Sequence, residues 1–223
     1  GDILGASAMG IRNVLCLSGD HQQFGDHPNA KGVFDIDSTQ LISTVKKMRD
    51  ESKFLSGQKI DTAPKMFIGA AANPFAEPFE WRVHRLAKKI EAGADFVQTQ
   101  CIYNMKKMRE WVKMAVDMGL TEKVAILAGV NPMTSHGMHH YKKTNDPAID
   151  VPEHGITAQQ GSKQGTPDKE GIKMACEQIE EFKEMKGVAG VHLMAIEWEH
   201  KVPEIAELAG VLPRPTCDDE PAE

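Results

Sequence analysis

No apolar run in this chain comes near the roughly 18 residues that a bilayer-crossing helix requires, so no helical membrane span is expected. Basic charge is not in excess. The net charge of −6 argues against binding a nucleic-acid backbone, which leaves the lysine pairs at 46–47, 88–89, 106–107 and 142–143 as small-anion sites at most. Cysteine is scarce as well: Cys16, Cys101, Cys176 and Cys217 lie far apart with no C-x-x-C pair. They read as reduced thiols, with Cys16 and Cys176 expected in the core. No G-x-G-x-x-G or Walker motif is present, so a Rossmann domain is not supported. Without a G-x-S-x-G, serine hydrolysis has no nucleophile. No charged-then-apolar leader opens the sequence, and a cytoplasmic location is the default expectation.

What is present is globular. Apolar residues make up 41% and charged residues 26% of 223, enough for one large domain with its own core. Short apolar runs alternate with helix-period segments, the signature of strand-helix units on a parallel sheet. Five strands are predicted, at 13–17, 66–70, 96–100, 124–130 and 190–196. Helices are predicted behind them. One spans Asp37 to Glu51, with Leu41, Ile42, Val45 and Met48 on one face behind an Asp/Ser cap. The next carries Phe79, Val83, Leu86 and Ile90 and is ended by Gly93. A third is capped by Asn104 and carries Met108, Trp111, Val112, Ala115 and Met118, its methionines read as core filling. Two more run from Pro167 to Met185 and from Pro203 to Ala209. The opening GDILGASAMG reads as the last turns of a helix closed by Gly10, which suggests a chain beginning inside a gene product. Residues 1–215 are expected to form the domain and 216–223 a disordered tail.

The strand-to-helix connections at 18–36 and 131–166 are long and polar, while several returns are tight glycine turns. In α/β barrels the elaborate loops follow the C-terminal strand ends, and the chemistry sits there. Asp20, Asn73, Gln100, Asn131 and Glu197 all occupy such positions. Asp20 follows Gly19 at the end of the first strand and would accept hydrogen bonds from a ring N–H or stabilise a developing cation; as an ordinary turn cap it would do neither. Gln98 and Gln100 point the same way on a regular strand. The Gln100 amide suits a heterocycle edge, or equally a bond to a neighbouring loop. Arg82, Arg85 and Lys89 fall along one helical side, either to hold phosphates or as a solvated face. His136, His139 and His140 invite a metal reading, but no acidic ligand is positioned beside them, and no metal site is expected.

Taken together, GIRNVLCLSGD (10–20), KKIEAGADFVQTQ (88–100), ILAGVNP (126–132) and VLPRP (211–215) resemble the methylenetetrahydrofolate reductase family, in order and over nearly the whole chain. The closest style is the short bacterial form of acetogen-type one-carbon pathways. The resemblance implies a (β/α)8 TIM-type barrel of which strands four to eight are present. It implies a flavin, FAD or alternatively FMN, and reduction of 5,10-methylenetetrahydrofolate to 5-methyltetrahydrofolate. Asp20 would be the catalytic aspartate near flavin and pterin, with Ser18 and Gly19 approaching the flavin through their backbone. Asn73, Ala76, Arg82, Arg85, Lys88 and Lys89 would hold its ribityl and diphosphate portion, and Asp35 would cover the adenosine part. Gln100 would bind the pterin, with Met138 and Tyr141 in the lid that stacks on folate or nicotinamide. The family's general-acid glutamate, near the first strand, has no counterpart in these residues.

The resemblance implies NAD(P)H or a partner redox subunit as electron donor, and an oligomer or a subunit of a complex. Two other readings stand beside it: another pterin-using barrel, such as a methyltransferase or pteroate synthase, and a non-catalytic barrel fragment that docks through unpaired sheet edges.

Overall fold

A computed structural model describes residues 1–132, 150 and 167–213, with the backbone alone at 167 and 168. Five strands form one parallel sheet: β1 (Asn13–Cys16), β2 (Phe67–Ala72), β3 (Phe96–Cys101), β4 (Ala125–Val130) and β5 (Gly190–Leu193). Their order in space is their order in sequence, and each pairs with the next, as in a barrel wall and unlike a doubly wound sheet. The helices are α1 (Asp2–Ala8), α2 (Ser38–Glu51), α3 (Trp81–Ala92), α4 (Met105–Asp117), α5 (Pro167–Lys183) and α6 (Val202–Leu208). This is the architecture of a partial (β/α)8 barrel. No described helix is long and apolar enough to cross a membrane.

The strand alternation explains the layering. Cys16, Ile68, Ala70, Val97, Ile126, Ala128 and Val130 are fully buried in the cluster shared with the helices. Into the same cluster go Ile42 and Val45 of α2, Val83 and Leu86 of α3, Trp111 and Val112 of α4, and Ile179 and Phe182 of α5. The alternate residues, among them Leu15, Phe67, Gln98, Gln100 and His192, remain partly or well exposed on the other face. Phe67 and Phe96 stack there with ring centroids 5.4 Å apart.

Helix ends follow the residues predicted to stop and start them. Asp37 accepts a bond from the Gln40 backbone N–H at 2.8 Å while the Gln40 side chain accepts from the Asp37 N–H at 2.8 Å, a complete capping box. Asn104 caps α4 by accepting from Lys107 N–H at 3.0 Å. Three readings need correction. Met118, read as core filling, is the C-cap of α4 and is exposed. Phe79 lies ahead of α3 rather than in it, because the chain turns through Pro78 and Phe79 before Trp81 opens the helix. Cys101 is buried whereas Cys176 is only partly so, being at the margin of α5 where its Sγ sits 4.0 Å from the Ile205 carbonyl.

Ser52 ends α2 in the left-handed conformation, φ 54° and ψ 43°, where a Cβ crowds the following carbonyl. Its backbone carbonyl accepts from Ile60 N–H at 2.7 Å, a bond glycine would keep. Ser52→Gly is therefore expected to stabilise the chain by about 1 kcal/mol, read as a raised urea midpoint at constant slope.

Candidate functional site

The C-terminal ends of the strands open into a cleft of ≈ 600 Å³. Its floor is formed where strand residues are small or amide-bearing: Ala71 and Ala72 from β2, and Gln98, Thr99 and Gln100 from β3. Ser18, Gly19 and Asp20 form one wall, Arg82, Arg85 and Lys89 of α3 a second, and His192 and Met194 close the far side. Gly19 has φ +76°, which suits it to carry the chain out of β1 into the turn that presents Asp20. Ser18 Oγ accepts from the Ser38 N–H at 2.9 Å, tying this turn to the start of α2.

Of the residues proposed from sequence, Ser18, Gly19, Asp20, Asn73, Arg82, Arg85, Lys89 and Gln100 therefore come together along one cleft. Asp35, Ala76 and Lys88 are not among its lining residues. Asp35 and Lys88 are exposed, and Ala76 contributes its carbonyl to Arg82 instead. Asn131 directly follows β4 but is buried and does not line the cleft; Glu197, expected at a strand end, lies four residues beyond β5, which stops at Leu193, and does not line it either. Met138, Tyr141, the three histidines at 136, 139 and 140, Cys217 and the tail at 216–223 lie outside the described residues. Among the described residues no cluster of potential metal ligands occurs.

The three α3 cations are not equivalent. Arg82 is committed to the chain itself, its Nε donating to the Ala76 carbonyl and its NH2 to the Glu77 carbonyl, both at 2.5 Å. Lys89 donates to the Ala71 carbonyl at 2.6 Å and is partly buried. Burial pushes its ammonium below the ordinary lysine value, and the neighbouring Arg85 charge adds to this against an opposing pull from Asp37. Arg85 is exposed and makes no hydrogen bond or ion pair among the described residues, so its guanidinium is free to meet an incoming anion.

On β3 the sequence concealed a distortion. The pairing of β3 with β4 shifts between Gln98 and Cys101. Thr99 Oγ1 accepts from Gly129 N–H at 2.8 Å and donates to the Gln100 carbonyl at 2.9 Å, so a side chain fills in for the broken ladder. Gln100 Oε1 accepts from Cys101 N–H at 2.9 Å, leaving the Gln100 amide NH2 as the group offered to the cleft. The bulge needs Gly129 beside it: a Cβ there would stand 2.6 Å from each of the Thr99 and Gln100 carbonyl oxygens. Gly129→Ala is expected to destabilise the chain by about 1–3 kcal/mol through overpacking against backbone, measurable by urea unfolding.

His192 and Met194 were missed in the sequence. The usable signal was the alternation of GVHLM, which sets residues 192 and 194 on one face of β5.

A parallel sheet with a polar cleft at its carboxyl ends, cations on one wall and amides on the floor defines a ligand-binding segment of a (β/α) barrel. The family model described as methylenetetrahydrofolate reductase matches residues 1–210, and the chain belongs to that family. A protein from Caenorhabditis elegans named probable methylenetetrahydrofolate reductase (NADPH) is 22% identical over 214 residues. The match takes in 92% of this chain but spans only 29% of that protein's length. A solved structure titled as an uncharacterized protein from Clostridium thermocellum that binds two copies of 5-methyl-5,6,7,8-tetrahydrofolic acid overlaps 74% of this chain and 68% of its own. Its identity is 17% and its TM-score 0.44.

Proposed function

We propose that this chain takes part in the flavin-dependent reduction of 5,10-methylenetetrahydrofolate to 5-methyltetrahydrofolate, with electrons from NAD(P)H or a partner redox subunit. One observation carries the proposal: Asp20, Gln100 and the α3 cations, which come from different elements, line a single cleft at the strand ends. The residues present fit a flavin. The cleft volume of ≈ 600 Å³ falls within the range of about 300–1,000 Å³ usual for cofactor pockets. Its β2 floor of Ala71 and Ala72 leaves room for a flat ring. Arg85 and Lys89 supply the positive charge that a diphosphate requires, and an anion beside Lys89 favours its charged form.

When bound, the flavin supplies the hydride chemistry. The chain's own residues bind and orient. Arg85 and Lys89 hold the diphosphate, while Arg82 fixes the 76–77 turn that frames the site rather than touching the cofactor. The Gln100 NH2 donates to an acceptor on the pterin edge. Asp20, at the mouth, lies against the folate ring, where its carboxylate favours the iminium cation formed when the five-membered ring opens. FAD is the favoured flavin, with FMN the alternative, and the folate reaches from Gln100 to Asp20.

The visible spectrum of the purified full chain tests the proposal, with FAD added first and methyltetrahydrofolate second under anaerobic conditions. Bound flavin absorbance that methyltetrahydrofolate abolishes is the expected result. A colourless protein that still binds the folate would favour a different pterin-using activity. Binding of neither would leave a non-catalytic barrel segment.

A further inference from the structure

Gly129 of β4 stands in register with His192 of β5, and on its other side the β4 strand meets the end of β3 at Gln100 and Cys101. Glycine at 129 makes room at this level for the Met194 methyl, which lies 2.8 Å from where a Cβ would stand, between a glutamine on one neighbouring strand and a histidine on the other. Neighbouring strands are about 4.8 Å apart, so the two side chains rise on either side of a slot about two strand spacings wide whose base is the Met194 methyl. That width accepts the edge of a planar heterocycle standing between them. On the Gln100 side the group on offer is an N–H donor, because the amide oxygen is already engaged by Cys101.

The His192 side is set by an unpaired atom. Among the described residues its Nδ1 is buried with no hydrogen-bond partner, and the imidazole makes no hydrogen bond or ion pair. A buried N–H without an acceptor is rarer and more costly than a buried lone pair without a donor. The neutral ring thus keeps its proton on Nε2 and leaves Nδ1 as the bare nitrogen. Burial also pushes the imidazole below its ordinary pKa, which agrees with a neutral ring. Nε2, the nitrogen not buried, is left to face the cleft that His192 lines.

We infer that His192 donates a hydrogen bond from Nε2 to a ring-nitrogen or carbonyl acceptor of the folate heterocycle, across Gly129 from Gln100. The assignment rests on the proposed folate site and adds a second donor to it. It makes the slot selective for a ring with acceptor atoms on both sides of its inserted edge. His192 is a binding and orienting residue here, with no proton transfer assigned to it.

The test uses the full chain and three variants, with FAD and methyltetrahydrofolate affinities measured separately. Glutamine places its side-chain nitrogen where Nε2 stands, and asparagine reaches only as far as Nδ1. His192→Gln is expected to retain methyltetrahydrofolate affinity within about threefold, whereas His192→Asn and His192→Phe lose about tenfold, the worth of one hydrogen bond. FAD affinity stays within about twofold throughout. In the unsubstituted chain, nitrogen-15 NMR should show His192 protonated on Nε2, with that resonance moving when methyltetrahydrofolate is added. Equal folate affinity in all three variants, or a proton found on Nδ1, overturns the assignment while leaving the folate site standing. A parallel loss of FAD and folate affinity overturns it in favour of a structural role. An unsubstituted chain that binds no folate overturns the proposed function and the assignment together.

Discussion

Asp20→Asn is expected to slow the folate half-reaction about 100-fold while leaving FAD affinity within about twofold. Asparagine keeps the shape and one acceptor oxygen of aspartate but removes the negative charge. In the free chain Asp20 is exposed at the cleft mouth, where water screens it. A ring laid over the cleft displaces that water, so the carboxylate acts more strongly on the covered substrate than on the free one. The charge matters most when the substrate becomes cationic, and its loss should fall on the rate more than on binding. The measurement is anaerobic stopped-flow loss of flavin absorbance on mixing with methyltetrahydrofolate, which runs the same step in reverse and must show the same deficit. FAD titration of both proteins supplies the control. An unchanged half-reaction with intact flavin binding would remove Asp20 from catalysis and make it a turn residue. A joint loss of flavin affinity and rate would instead tie it to cofactor binding.

The residues that made the fold legible were those whose pattern has one physical solution. An apolar run such as Val124 to Val130 ahead of a polar loop reads as a buried strand, and the structure places β4 at Ala125–Val130. Asp37 with Gln40 three residues on is a helix start that local chemistry fixes without tertiary help, and it is where α2 begins. Polar residues following apolar strands gave the cleft its outline, because strand ends in a parallel sheet converge. Distance along the chain was the limit. Nothing local announces that Arg82 turns back to the 76–77 carbonyls, since that depends on how the preceding turn is folded. The Thr99 bulge is equally hidden: it is a relation between β3 and a glycine thirty residues later. Asp35 and Lys88 were placed by resemblance alone, and in this chain they are exposed and are not among the residues that line the cleft. His192 went unread because one histidine in a strand carries no motif, although its alternation with Met194 is present in the sequence.

Trp111→Ala is expected to cost about 3–5 kcal/mol, the range for deleting a large aromatic side chain from a core. Trp111 is 0% exposed and heads the largest fully buried side chains. It shares its cluster with Val97 of β3 and Ile126 of β4, the strands whose ends form the cleft floor. Against a total stability of about 5–15 kcal/mol for an ordinary domain, such a loss brings the chain close to unfolding at room temperature. The measurement is a lowered urea midpoint at unchanged slope. Trp111→Phe separates two contributions. The indole Nε1 is buried with no hydrogen-bond partner among the described residues, so the native residue bears the cost of an unpaired N–H. Phenylalanine removes that cost along with part of the ring, and its net loss should be less than half that of alanine. A phenylalanine variant as unstable as the alanine one would show that indole volume alone decides the site. Alanine tolerated without loss would mean that α4 does not hold β3 and β4, and the ordering of Gln98 and Gln100 would need another cause.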